Sequence, residues 1–434
     1  MARPQAYPGK LNLFQRMMLR WRELHPYNAV HVVHVAHAFD ADDVRRCIRQ
    51  TIDAHGIGGY TLDAQRTRYA YRDETRQPDL DVIAANDDAD RALADEIARQ
   101  LNRPFELGVP LRYFAVPMPA GFLLGVAYDH FIAGGDSVAA LLGAIVARIG
   151  GVAPACATTA PLEALYPSTY STLMRRHGGW FVRAAIAMPS QVRESKRAYR
   201  PRDRDPDDPR NAYALIRLAP TEVAALRGHA LAFGVTLHDL IIAMLLRTLS
   251  PLAIGRRGER VRREISVAAI VNIRRDFGGD DARAFGQLLA SMRVTHPVAD
   301  ETGLGDLARD VRRATLPIKR SHLYLRSLLG LSAASIAWRY MSPAQRRRFY
   351  VKHYPAWAGV SMMDIDPLWP KELGPATLYT RGVSTGPLTP AVLAISSGKD
   401  ALSIGVAWRP TALPADFPAL LHDQIRQCAN QSHC

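Results

Sequence analysis

One stretch, residues 110–149, constrains the fold more than any other. Two apolar runs of strand character, PLRYFAVPM and GFLLGVAYDH, are joined by the turn signal PAG. The second run ends at His130. Gly134 and Gly135 follow, and DSVAALLGAIVARIGG then shows helical spacing, with an Asp/Ser start near Asp136 and a glycine stop. A strand that passes through glycines straight into a helix is α/β text. His130 would stand at the strand's end beside the positive end of that helix. There, the helix dipole and apolar neighbours both disfavour imidazolium and keep the ring free to act as a base. A buried structural histidine fits the same position, so the residues alone leave both readings open.

The rest of the chain repeats the mixture. NAVHVVHVAHAF reads as a strand, and DADDVRRCIRQTIDAHG as a helix with an Asp start and a stop at Gly56. DADRALADEIARQLNRPF is again helical. From residue 191 to 211 the text turns charged and proline-rich, QVRESKRAYRPRDRDPDDPR and onward, with little to bury, and reads as a linker. Strand, helix and strand text then resumes in NAYALIRL, TEVAALRGHALAFG, VTLHDLIIAMLLRTL and EISVAAIVNIR. The 434 residues exceed what one small core needs. The expected organisation is two α/β domains, 1–190 and 212–434, joined by 191–211.

DHFIAGGDSVAALL resembles the HHxxxDG signature of the CoA-dependent acyltransferase superfamily, which includes nonribosomal-peptide condensation domains, bacterial wax ester synthases and HxxxD acyltransferases. LNLFQRMMLRW with YNAVHVV is similar to that family's opening helix and first strand. LAFGVTLHDLIIAMLLRTL is similar to its GvTvNDvllAal helix, with His238 for the usual asparagine. VAAIVNIRRDFGGDDARAFGQ resembles its vpvNlR…fGN segment, placing Asn272, Arg274 and Gly286 on family positions. The resemblance implies two chloramphenicol-acetyltransferase-like subdomains forming a V around a central tunnel. It implies His130 as the general base that moves an acyl group from a CoA or acyl-carrier-protein thioester to an amine or hydroxyl. Gly135 falls on the signature's last glycine and Ser137 on a serine that often follows it; Ser137 or the Gly135 N–H is the candidate oxyanion donor. No bound cofactor is implied beyond that donor thioester.

Two positions depart from the signature. Asp129 replaces its first histidine and is expected to orient or charge-stabilise His130. Gly134 replaces its aspartate, the family partner of an arginine for which Arg274 stands here; Asp136 or Asp129 is expected to take over. The departure keeps a second reading alive, a non-catalytic member that binds a carrier protein or another partner.

Other features decide less. GVSTG at residues 382–386 fits G-x-S-x-G, yet Pro387 and Pro390 forbid the helix a nucleophilic Ser384 requires. DFGG at Asp276 stands without kinase companions. His31, His34 and His37 recur every third residue, which splits them between strand faces, so they suit surface or tunnel-lining positions and no metal site is expected. The 4 cysteines lack C-x-x-C spacing, and with no apolar leader the expected setting is cytoplasmic. The net charge of +14 suits an acidic carrier protein or the phosphates of CoA. Nucleic-acid motifs are missing. LLGLSAASIAW, residues 328–338, is too short to span a bilayer, though with its basic and aromatic flanks it suits weak membrane-surface association, as a wax-ester-type lipid acyltransferase would need.

Overall fold

The computed structural model describes residues 9–72, 79–84, 88–152, 169–277 and 286–431. In chain order the strands are β1 (Gly9–Lys10), β2 (Asn28–Val35), β3 (Gly59–Leu62), β4 (Arg68–Arg72), β5 (Leu80–Val82), β6 (Leu111–Met118), β7 (Gly121–Asp129), β8 (Ala212–Leu218), β9 (Ile265–Asn272), β10 (Leu289–His296), β11 (Ala358–Asp364), β12 (Tyr379–Val383), β13 (Ala391–Ser397) and β14 (Leu402–Trp408). The helices needed here are α1 (Leu13–Trp21), α2 (Ala41–His55), α3 (Ala89–Asn102), α4 (Gly135–Ile149), α5 (Thr169–Arg176), α6 (Gly178–Ile186), α7 (Met188–Arg197), α8 (Pro220–Ala232), α9 (Leu237–Leu252) and α10 (Leu304–Arg320).

The chain folds into two compact α/β units. The first takes Met1–Arg176, Ile273–Leu289 and Met363–Gly382; the second takes His177–Asn272, Ala290–Met362 and Val383–Cys434. The expected linker, 191–211, lies inside the second unit. Its first residues complete α7, and Ala198 bridges Glu264 in parallel. Arginines hold its backbone: Arg262 donates to the carbonyls of Ser195 and Ala198, and Arg293 to that of Gln191. Ala198 and Tyr199 are buried as well, Tyr199 stacking on Trp357, so the charged text is docked by two apolar side chains and by its backbone.

In the first unit a sheet runs β12-β2-β7-β6-β5, beside a small β1-β4-β3 sheet. β2 and β7 are antiparallel, with Asn28 opposite Asp129 and Val35 opposite Phe122. β6 and β7 form the hairpin expected from PAG, closing at Met118 opposite Gly121. Gly121 is obligatory there: its φ is +110°, and a Cβ would lie 2.1 Å from the Val35 carbonyl oxygen. β7 is buried from Phe122 to Asp129, which explains its unbroken apolar text. The Asp40 side chain caps α2 by accepting from the N–H groups of Asp42 and Asp43, and Gly56 ends it in the left-handed region. α2 packs on α4.

The second unit is built on a sheet of order β10-β9-β11-β13-β14-β8. α9 starts on a Thr236/Asp239 capping box, and Thr315 of α10 donates to the Asp239 carboxylate at 2.9 Å. The arginine cluster at 256–263 is partly structural, since Arg256 is buried and paired with Asp300. Among the described residues no single helix is long and apolar enough to cross a membrane.

Candidate active site

β7 delivers His130 to the site, and the main chain holds it there. The His130 N–H donates to the Tyr27 carbonyl at 3.0 Å, the Ile132 N–H to the Asp129 carbonyl at 3.0 Å, and the Gly134 N–H to the Gly286 carbonyl at 3.1 Å. α4 begins at Gly135, one residue before the expected start at Asp136. The His130 side chain is buried, its ring centroid 5.3 Å from that of Tyr27 and 5.8 Å from that of Tyr128. Burial first, and the Arg381 guanidinium second, lower its pKa to about 3. The ring is therefore neutral throughout the physiological range.

Asp129 does not orient His130. Neighbours on a strand point to opposite faces, and the Asp129 carboxylate pairs instead with Arg22, which also donates to the Phe105 carbonyl. Burial outweighs that guanidinium and raises the carboxyl's pKa to about 6.

Arg274 reaches the start of α4. Arg274 is buried and donates from Nη2 to the Ser137 hydroxyl at 3.1 Å, while the Asp136 carboxylate stands 3.9 Å from Nε. Ser137 thus braces the helix start as Arg274's acceptor, with Asp136 close by. A Cβ at Gly134 would lie 3.5 Å from Arg274 Nη2 and 3.3 Å from the Gly286 oxygen. Gly134 is the N-cap of α4, with φ −77° and no side-chain cap bond. Gly134→Asp should therefore raise stability by about 1 kcal/mol, from a capped helix, a neighbouring cation and a stiffer unfolded chain. A lowered urea midpoint would mean that contact with the Gly286 carbonyl prevails.

Gly135 lets the site close, since a Cβ there would meet Arg381 Nη1 and the Met363 sulfur at 3.3 Å and His31 Cε1 at 3.5 Å. Asn272 stands exposed at the last residue of β9. His31 belongs to the site: it is buried, its Nδ1 lies 2.6 Å from the Tyr379 hydroxyl, and its Nε2 lies 3.4 Å from that of Tyr128. Burial, then Arg381 and His130, hold its pKa well below the usual value. His34 turns the other way, to the Ala120 carbonyl at 2.9 Å. Among the described residues no group of three or more His, Cys, Asp or Glu side chains is placed to hold a metal ion.

Three further residues complete the frame. Asn12 and Gln15 form a reciprocal capping box at the start of α1. From it, Asn12 Nδ2 donates to the Gln287 carbonyl at 2.7 Å and Gln15 Nε2 to the Phe131 carbonyl at 3.1 Å. Gln287 itself is fully buried, and its amide nitrogen reaches His130 Nδ1 at 3.2 Å. The sequence signals were present: N-L-F-Q is a capping pattern, and Gln287 stands where the fGN segment carries asparagine.

These histidines fix the direction of one pH effect. A histidine neutral in the fold but protonated at 6.5 when unfolded contributes stability that is present above pH 6.5 and lost as pH falls toward its folded value. Asp129, raised in the fold, has the opposite sign and relieves the fold on protonation below about 6. His130→Gln should accordingly lose less stability than the parent chain between about pH 7 and pH 5, read from urea midpoints. Parallel curves for the two proteins would contradict a neutral His130.

No family model matches the chain, and no curated protein matches it. Solved structures do. The first condensation domain of the calcium-dependent antibiotic synthetase, in complex with a substrate analogue, matches with a TM-score of 0.69 at 14% identity, over 98% of this chain and 96% of that one. The chain has the condensation-domain fold. The starter condensation domain of rhizomide synthetase, as a variant in complex with C8-CoA, matches this fold at TM-score 0.61 and 16% identity, over 96% and 93% of the two chains. So does the epimerization domain from the third module of tyrocidine synthetase B, at TM-score 0.63 and 13% identity, over 98% and 97%. One fold thus hosts different reactions, and condensation-type chemistry has to be argued from the site.

Proposed function

We propose that this protein is an acyltransferase of the condensation type, moving an acyl group from a CoA or acyl-carrier-protein thioester to a small amine or hydroxyl acceptor in the cytoplasm. The observation that carries this reading is His130: a neutral, buried imidazole held at the end of β7 beside the rings of Tyr27 and Tyr128. In the transfer, the acceptor's lone pair attacks the thioester carbonyl, the new C–N or C–O bond forms, the C–S bond breaks, and the proton lost by the acceptor ends on sulfur. No acyl-enzyme is required. His130 is assigned to contact the reacting atoms. To act as the base expected from sequence it must present a bare nitrogen; to steady the carbonyl oxygen it must present an N–H. The positive charge of the chain suits an acidic carrier or CoA phosphates.

The test is product detection. Purified protein would receive short, long and aromatic acyl-CoAs and acyl-carrier thioesters with pooled amines and alcohols, and products would be identified by mass spectrometry. An amide or ester absent without enzyme supports the reading. A second reading is favoured by Gly134 alone: a non-catalytic member that binds a carrier protein. It predicts carrier binding with no product and no effect of His130→Ala.

A further inference from the structure

α6 is a surface helix with the sequence of a buried one. GGWFVRAAI is apolar almost all round, and a helix of that kind is ordinarily enclosed. Phe181 and Ala184 are buried, yet Val182 and Ile186 are 59% and 75% exposed. The helix beside it behaves alike. α11 (Arg326–Ala337), RSLLGLSAASIA, buries Leu328, Leu331 and Ala334 and leaves Ile336 63% exposed. In the 3₁₀ turn that follows, Trp338–Tyr340, Trp338 is buried and Tyr340 is 84% exposed. α6 packs on α11 and on the turn before it, Leu323–Leu325. The Trp180 ring stacks on that of His322 with centroids 3.5 Å apart, and Arg326 Nη1 donates to the Ser190 hydroxyl of α7 at 3.2 Å. Val182, Ile186, Ile336 and Tyr340 therefore stand on adjacent outward faces. The charges written into these segments have one sign. Neither helix contains Asp or Glu, and the chain from Val311 to Met363 contains none. Arg183 and Arg339 are exposed among the apolar side chains. α12 (Pro343–His353) packs on Trp338 through Phe349 and Tyr350 and adds Arg346, Arg347 and Arg348, of which Arg347 pairs with Asp207 at 3.1 Å.

We propose that the α6–α11 face seats the protein on an anionic lipid surface, lying on it without crossing it. Side chains as exposed as these project outward. A fluid acyl layer closes around each of them, whereas a folded partner would need a shaped pocket for each. The arginines between them meet the phosphate headgroups, and Tyr340 places an apolar ring below and a hydroxyl at the level of the headgroups. The inference depends on these exposed side chains and on the sign of the charge around them. It does not depend on any reaction of the protein.

The test is vesicle co-sedimentation of the full-length protein. The vesicles are phosphatidylcholine alone, or phosphatidylcholine with about 30% phosphatidylglycerol to supply negative charge. The parent protein should sediment with the mixed vesicles and stay in solution with the neutral ones. Its partitioning should fall ~10-fold or more between about 0.1 M and about 0.5 M salt. Ile186→Asp and Ile336→Asp should each partition ~10-fold or more weakly, the scale of one isoleucine kept in water. Leu231→Asp, at an exposed position of α8, should match the parent. All three changes are at the surface, so the urea midpoint should hold; lipid composition and salt decide the matter on the parent protein alone. No sedimentation with either vesicle, equal sedimentation with both, or isoleucine variants that bind like the parent would overturn the proposal. A lipid-free dimer that Ile186→Asp dissociates would also overturn it, since the face would then belong to a second copy. So would an acidic carrier protein that this face binds while vesicles stay unbound.

Discussion

Arg22→Ala should lower the stability of the chain by about 3–5 kcal/mol, because it strands the Asp129 carboxylate in the interior. That carboxylate is 2% exposed and pairs with Arg22, and burial already raises its pKa to about 6 with the guanidinium in place. Removing the cation also frees the Phe105 carbonyl that Arg22 satisfies. Urea denaturation at neutral pH measures the loss. Without its counter-charge the carboxyl's folded pKa rises further, so protonation relieves the variant more than the parent. The gap between the two should narrow as pH falls from about 7 to 5. Adding Asp129→Asn should recover part of the loss, since an amide needs no counter-charge. A single variant within about 1 kcal/mol of the parent would place the pair among the weak surface type.

His130→Ala should lower kcat for acyl transfer by ~10²- to 10⁴-fold, the range for loss of one positioned proton-transfer group or oxyanion donor. The Tyr27 carbonyl bond to residue 130 is made by the main chain and survives the substitution. Asp129 and Arg22 lie on the other side of β7 and are untouched. The variant should therefore stay folded while turnover collapses. Asp129→Asn is the matching control on the neighbouring residue; it should leave turnover near the parent level, because its side chain does not face His130.

Local elements were legible wherever their signals are local. The β6–β7 hairpin follows from PAG, α2 from Asp40 and Gly56, and α9 from Thr236, since caps and turns are made by residues near each other in sequence. Arg274 meets Ser137 at the start of α4 from 137 residues away in the chain. Sequence spacing failed where partners come from afar. The Arg22–Asp129 and Gln287–His130 contacts each span more than 100 residues. His31 lay hidden because a strand histidine in valine-rich text looks the same whether it faces solvent or Tyr379. The 191–211 stretch misled for a different reason: two buried side chains, Ala198 and Tyr199, together with arginine-to-carbonyl bonds dock a segment whose composition reads as free.

The most direct measurement is acceptor-dependent thiol release by the parent protein and His130→Ala side by side, both shown folded by the same denaturation curve. Release from a thioester is expected only when an acceptor is present, with no acyl adduct on the protein by intact mass, and near-complete loss in the variant. Equal release by the two proteins, or tight carrier binding with no release from either, would contradict it.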